Sequence, residues 1–255
     1  MQLIDSHAHL DDRAFANDRA ATIARAFADK MGIITIGSDL RSSEEAVRLA
    51  GRHRGIWATV GAHPHGARHV DDNVLETFKR LAKRHEVVAI GEIGLDYYRD
   101  LSPRDVQRTV FRDQLELARQ LKLPVCLHNR ESTEDFLDIL RESGREHRGV
   151  VHSFLGNADL AAEFLDLGLH LGIGGPVTFP KNGDLRSALR EIPIERLLIE
   201  TDCPYLTPVP YRGRRNEPSY VRFVAEEIAR LIDMGIEELR RQTVQNTVRL
   251  FELAS

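Results

Sequence analysis

Short apolar runs recur along the chain, each followed by a longer stretch with helical spacing. The eight runs are "QLIDS", "GIITIG", "IWATVG", "VVAIGE", "LPVCLH", "GVVHSF", "LHLGIGG" and "RLLIET". Several are apolar at nearly every position rather than at alternate ones. That is the pattern of parallel strands covered on both faces. The stretches between them repeat their apolar residues at the period of a helix. In Arg104 to Leu121, for example, Val106, Val110, Leu115, Ala118 and Leu121 fall on one stripe. Ser102 is placed to cap that helix, with Pro103 as its first residue. Ser42 and Glu45 form a capping-box pattern before another helix. Gly144 and Gly168 stand where helices should stop. No linker, low-complexity tract or close internal repeat divides the sequence. Eight strand–helix units in 255 residues predict an α/β protein, a (β/α)8 TIM-type barrel, with residues 1–255 as a single domain. An open doubly wound sheet is the rival. No Gly-x-Gly-x-x-Gly turn follows an early strand, which counts against it.

A barrel brings the C-terminal ends of its strands to one mouth. His7 and His9 follow the first run, His63 and His65 the third. Glu92 ends the fourth, His128 the fifth, His152 the sixth and Asp202 the eighth. His7 and His9 are two apart on an extended segment, so they face the same side. A single histidine at a strand end is more often a hydrogen-bonded structural residue, and a terminal acid is often a helix cap. Four histidines and two acids, each at the same end of an apolar run, point instead to a metal centre. His7, His9 and Asp202 are expected to hold one ion, and His128 and His152 a second. Glu92, on the strand between these groups, is expected to bridge the two. Imidazole with carboxylate suits zinc, manganese, iron or nickel, and magnesium where oxygen ligands and water dominate. We therefore expect two divalent ions, Mg, Mn or Zn. Two ions about 3.5–4 Å apart act on both the attacking and the leaving oxygen of a displacement, and they acidify water. His53, His69, His85, His147 and His170 are expected to be structural. Asp5 shares strand parity with His7 and is read either as an acceptor for a ligand imidazole or as a buried turn acid. Cys126 and Cys203 form no C-x-x-C motif and are expected as small buried thiols.

The segments "DSHAHLDD", "VGAHPH", "GEIGLDYYRD", "LPVCLHNRE", "VVHSFLGN", "ETDCPYLTP" and "PYRGRRNEPSYV" occur in that order across essentially the whole chain. In this the sequence resembles the TatD family of metal-dependent deoxyribonucleases, within the amidohydrolase-like barrel hydrolases. The resemblance implies a two-metal centre and hydrolysis of DNA phosphodiesters with 3′–5′ exonuclease character. It implies His7, His9, Glu92, His128, His152 and Asp202 as ligands, and His63 near the scissile phosphate. Asn129 stands where the family often has serine, and Ser153 and Leu155 stand where "HCFSG" is common. These residues neighbour ligands without replacing them, so they bear on the substrate rather than on the metals.

The net charge is −4, so no overall basic field recruits nucleic acid and any contact must come from a local patch. The loop after the last run supplies Arg212, Arg214 and Arg215 beside Tyr205 and Tyr211. Arg99, Arg130 and Lys181 follow other runs. Arginine forks suit phosphate, and tyrosines stack on unpaired bases. The alternative is a solvated basic loop paired with helix acids. We take His65, Arg130, Tyr205, Arg212, Arg214 and Arg215 as substrate-binding candidates for DNA, as single strands or 3′ ends. Asp202, Glu92 and His63 are the catalytic candidates. In this scheme Asp202 orients the attacking water and accepts its proton, while His63 and the metals offset charge on the phosphoryl oxygens. A metal-dependent esterase, deacylase or lactonase using the same site is the alternative function. No basic stretch precedes an apolar one at the start, and no run is long enough to span a bilayer. A cytoplasmic protein with no membrane attachment and no obligate protein partner is the expectation.

Overall fold

A computed structural model of the chain describes residues 1–144 and 146–253. All eight apolar runs form strands: β1 (Leu3–Ala8), β2 (Met31–Thr35), β3 (Ile56–Val60), β4 (Val87–Asp96), β5 (Val125–Arg130), β6 (Gly149–Val151), β7 (His170–Ile173) and β8 (Leu197–Ile199). The α-helices among the described residues are α1 (Arg19–Ala28), α2 (Leu40–Ala50), α3 (Asp72–Leu81), α4 (Arg104–Leu121), α5 (Thr133–Ser143), α6 (Ala158–Asp166), α7 (Gly183–Ala188), α8 (Val221–Leu231) and α9 (Ile236–Phe251). The strands form one sheet in sequence order from β1 to β8. Parallel strands in sequential order, with helices between them, define the (β/α)8 barrel class.

The chain divides into two compact units. The first comprises Met1–Thr35, His152–Asp166 and His170–Ser255. Here β1 pairs in parallel with β2, and β7 with β8. The β1 register shifts between Asp5 and Ala8, where three residues advance against two on β2. Such a bulge re-aims side chains, and His7 lies within it. Ala8 makes a parallel bridge to Cys203, beyond β8. Helix α8 buries Val221, Val224, Ala225 and Ile228 on one face.

The second unit comprises Ile36–Val151 and Leu167–Leu169. It holds β3 to β6, paired in parallel in that order. Strand β4 shifts register between Ile90 and Ile93, and Glu92 sits in that irregularity. Gly94 is required beside it. Its φ is +144°, and a Cβ there would lie 2.0 Å from the His128 carbonyl oxygen. The glycine lets β4 and β5 approach closely where both carry site residues.

Helix α4 has the bounds that the periodicity predicts, but two local expectations are corrected. Its N-cap is Pro103, not Ser102. The Ser102 hydroxyl donates to the His65 carbonyl instead, at 2.9 Å, which ties down the loop after β3. The buried face of α4 also includes two glutamines, Gln107 and Gln114, beside Val110, Phe111, Leu115 and Ala118. At α2 the capping box is made by Asp39 and Ser42, not by Ser42 and Glu45. Glu45 pairs with Arg48 one turn on. Phe111 stacks on Phe136 of α5, with ring centroids 5.2 Å apart and both rings fully buried. Truncating either to alanine should cost about 3–5 kcal/mol.

Candidate metal centre

In the first unit, His7 and His9 aim their Nε2 atoms at each other, 3.3 Å apart. The two-residue spacing puts them together as expected. Asp202 joins them through a backbone clasp. Its N–H donates to the His7 carbonyl at 2.9 Å, and the His9 N–H donates to the Cys203 carbonyl at 2.9 Å. Asp202 has a φ of +55°, a left-handed conformation that Asp and Asn enter more readily than other non-glycine residues. From there its Oδ1 lies 3.4 Å from His9 Nε2 and 3.7 Å from His7 Nε2. Burial pushes the Asp202 carboxyl up. The hydrogen bond from His9 and the fields of His7 and His152 outweigh this and hold it below its ordinary value. The His152 ring stacks on His7, with centroids 3.9 Å apart and planes within 12°.

Two further acids complete this group. Asp5 accepts from the Thr201 N–H at 2.9 Å, the Thr201 hydroxyl at 2.6 Å and the His7 N–H at 3.3 Å. It therefore ties β1 to the segment after β8. Burial pushes its carboxyl up to about 8 against those three donors. Glu200 accepts from the Ser153 N–H at 2.6 Å, with the same oxygen 3.7 Å from His152 Nδ1. Its other oxygen is buried without a hydrogen-bond partner among the described residues.

In the second unit, Glu92 Oε1 lies 2.9 Å from His128 Nδ1 and 3.5 Å from His63 Nε2. His63 is oriented by the His65 N–H, which donates to its Nδ1 at 3.1 Å. Gln114 of α4 fixes the same loop through both backbone groups of Ala62. Asp96 Oδ2 lies 3.0 Å from His65 Nε2 and 3.1 Å from His128 Nε2. Burial pushes the Asp96 carboxyl up, but the hydrogen bonds from His128, His65 and the Arg99 N–H outweigh it and hold it well below the carboxylate range.

The donor sets fit divalent metal ions. A tetrahedral ion with ligands about 2.0–2.1 Å away keeps those ligands roughly 3.3–3.4 Å apart. The His7–His9 and His9–Asp202 separations of 3.3 and 3.4 Å match that spacing. His63, Glu92 and His128 likewise offer two nitrogens and an oxygen within ion-sharing reach.

Asp96 and Glu200 were not among the expected site residues. The signal that could have found them is parity. Asp96 is four residues after Glu92 on the same strand, and Glu200 is two before Asp202.

The substrate candidates are placed unevenly. Tyr205 is 54% exposed, with its ring centroid 6.2 Å from that of His9. Its hydroxyl donates to Asp12 at 2.9 Å, and burial, helped by that carboxylate, pushes the phenol up to about 12. It is therefore a neutral aromatic surface at working pH. The Arg212 guanidinium lies 3.8 Å over the Phe179 ring, and that of Arg214 lies 5.7 Å from Tyr211. Neither arginine makes an ion pair among the described residues. Arg215 differs. Both its terminal nitrogens go to Asp18, at 2.6 and 2.7 Å, and one also donates to the Ala14 carbonyl. This pairing holds the Asp18 carboxyl down to about 2. At Arg215 the paired-surface alternative describes the side chain better than the substrate expectation does. In the second unit, Arg130 lies 3.9 Å over the Tyr98 ring. His65 is 36% exposed on its side chain while bound to Asp96. Of the histidines expected to be structural, His147 lies with Nε2 2.9 Å from the Leu140 carbonyl. Cys126 and Cys203 are buried free thiols, as expected.

Barrel strands that end in grouped imidazoles and carboxylates define a metal-dependent hydrolase. The chain belongs to the TatD family, whose model, described as TatD related DNase, matches residues 4–252. It is 44% identical over 253 residues to the metal-dependent hydrolase YabD of Bacillus subtilis, covering 98% of this chain and 99% of that protein. It is 39% identical over 259 residues to the 3′-5′ ssDNA/RNA exonuclease TatD of Pantoea ananatis, covering 98% of this chain and 100% of that one. The crystal structure of the TatD homologue YjjV of Escherichia coli superposes with a TM-score of 0.93 at 30% identity, covering 99% of each chain.

Proposed function

We propose that the protein is a two-metal-dependent deoxyribonuclease that removes nucleotides from the 3′ ends of single-stranded DNA. The observation that carries this reading is the N,N,O donor set of His7, His9 and Asp202 at the spacing of a coordinated ion. The exonuclease name of the Pantoea relative supports the substrate class. The ligands are His7, His9, Glu92, His128, His152 and Asp202. Divalent ions bound there would acidify water and neutralise charge on the phosphoryl oxygens. Asp202, ionised across neutral pH, orients the attacking water and accepts its proton. His63, fixed through Nδ1, directs Nε2 toward the group and offsets phosphoryl charge. Tyr205 offers a surface on which a base can stack, and Arg212 and Arg214 follow the phosphates. Residues 1–255 act as one hydrolase domain, an organisation supported by the extent of the family match. The two free thiols support a cytoplasmic setting. No helix among the described residues is long and apolar enough to cross a membrane.

The direct test incubates the protein with a 5′-labelled single strand and with a panel of small esters, each with magnesium, manganese or zinc. The expected result is a ladder shortening from the 3′ end that stops on chelation. Ester turnover with intact DNA would establish the esterase or lactonase alternative instead.

The arginine loop makes a separate prediction. Each phosphate contact on single strands contributes about −0.7 to the salt slope. Arg212→Ala with Arg214→Ala should flatten that slope by roughly one contact or more without lowering Tm. Arg215→Ala should lower Tm by a few degrees, because it releases Asp18 and the Ala14 carbonyl. Calcium in place of the active metal keeps the strand intact during these titrations. An unchanged slope in the double variant assigns the loop to the surface.

A further inference from the structure

We propose that Asp96 is the positioning carboxylate for His128, holding the proton on Nε2 so that this imidazole meets a metal through Nδ1. The inference rests on the reading of His128 as a ligand, and it concerns a residue to which the proposed mechanism gives no part.

His128 lies between two carboxylates. Its Nδ1 is 2.9 Å from Glu92 Oε1, and its Nε2 is 3.1 Å from Asp96 Oδ2. A neutral imidazole carries one N–H, so only one of these contacts is an ordinary hydrogen bond. The other sets a nitrogen lone pair against a carboxylate oxygen, which is repulsive unless a cation lies between them. The surroundings decide which side is which. Asp96 is fully buried, and its backbone is held at both ends by one side chain. Its N–H donates to Gln107 Oε1 at 2.9 Å, and its carbonyl accepts from Gln107 Nε2 at 3.2 Å. Its Oδ1 accepts the Arg99 N–H at 2.8 Å, which leaves Oδ2 facing the two Nε2 atoms of His65 and His128. That oxygen is a fixed acceptor. Glu92 and His128 belong, with His63, to a group of donor atoms close enough to share one ion, the His63 and His128 ring centroids being 4.4 Å apart. The His65 and His128 rings around Asp96 stand 6.5 Å apart, and no such group among the described residues joins His128 to Asp96. The Nε2–H therefore belongs to Asp96 and the Nδ1 lone pair to the metal. A carboxylate behind a ligand imidazole sets its tautomer and raises its basicity.

Asp96→Asn tests this with little change of shape. The amide oxygen keeps the turn to the Arg99 N–H, and the NH2 group replaces Oδ2. A donor then faces both Nε2 atoms, which drives His128 to the Nδ1–H tautomer and removes its ligating lone pair. The measurement is nitrogen NMR of the zinc-loaded protein labelled with 15N-histidine, at about pH 8, where free imidazole is neutral. The wild type should show His128 with a protonated Nε2 and a metal-bound Nδ1. Asp96→Asn should lose that pair of signals, bind zinc about 10–100-fold more weakly and unfold near the wild-type temperature. Zinc on His128 Nε2 in the wild type overturns the proposal even if the variant does not fold. So does an Asp96→Asn protein with the wild-type spectrum and zinc affinity. A wild type in which His128 binds no zinc overturns the ligand reading, and this inference with it.

Discussion

Glu92→Gln should reduce turnover on single-stranded DNA by about three orders of magnitude while the protein remains folded. Glutamine keeps the volume and one oxygen but removes the charge around which His128 Nδ1 and His63 Nε2 are gathered. Glu92 is buried, 3% exposed, so the loss of its charge is felt directly by the two imidazoles beside it. The register of β4 is set by Gly94 and by pairing to β5, not by the carboxylate, so the strand should survive. Metal content separates two roles. Loss of one ion makes Glu92 a ligand of that ion alone. Loss of both makes it the shared carboxylate expected from its place on the fourth strand. Near-normal turnover with full metal content would remove Glu92 from the chemistry.

Asp202→Asn should lower kcat by roughly 10²–10⁴ and leave KM within a few-fold. The conformation favours a clean substitution. Asp202 sits at a φ of +55°, where asparagine is as well tolerated as aspartate. The clasp between its N–H and the His7 carbonyl is backbone-only, so it is retained. On the proposed mechanism, the variant loses the proton acceptor and weakens one contact to the ion. A raised KM with unchanged kcat would move Asp202 to substrate binding.

The strands were legible because a strand covered on both faces leaves an apolar run that little else produces. The grouping of imidazoles and acids was legible for a related reason, since such residues placed directly after apolar runs interrupt an otherwise apolar pattern; their role as ligands remains the proposal made above. The supporting residues were not. Gln107 and Gln114 look like surface positions of α4, yet both are buried and hold the end of β4 that carries Asp96 and the loop that carries His63. Nothing in the helical period separates a glutamine facing solvent from one facing a loop backbone. Asp96 and Glu200 were hidden behind the stronger signal of Glu92 and Asp202 on the same strand ends. The Ser102 and Ser42 caps failed for another reason. Each serine has a second acceptor or donor within reach, and tertiary contact decides between them. Arg215 shows the limit of charge patterns. Its partner Asp18 is 197 residues away in sequence, and only the fold brings the pair together.

The central claim is that the two side-chain groups, His7 with His9 and Asp202, and Glu92 with His128, hold divalent ions. Anomalous diffraction from crystals grown with manganese tests it most directly. The account predicts one peak coordinated by His7, His9 and Asp202 and another coordinated by Glu92 and His128, the latter through Nδ1. Crystals that show no manganese at either group, at concentrations that support catalysis, would contradict it.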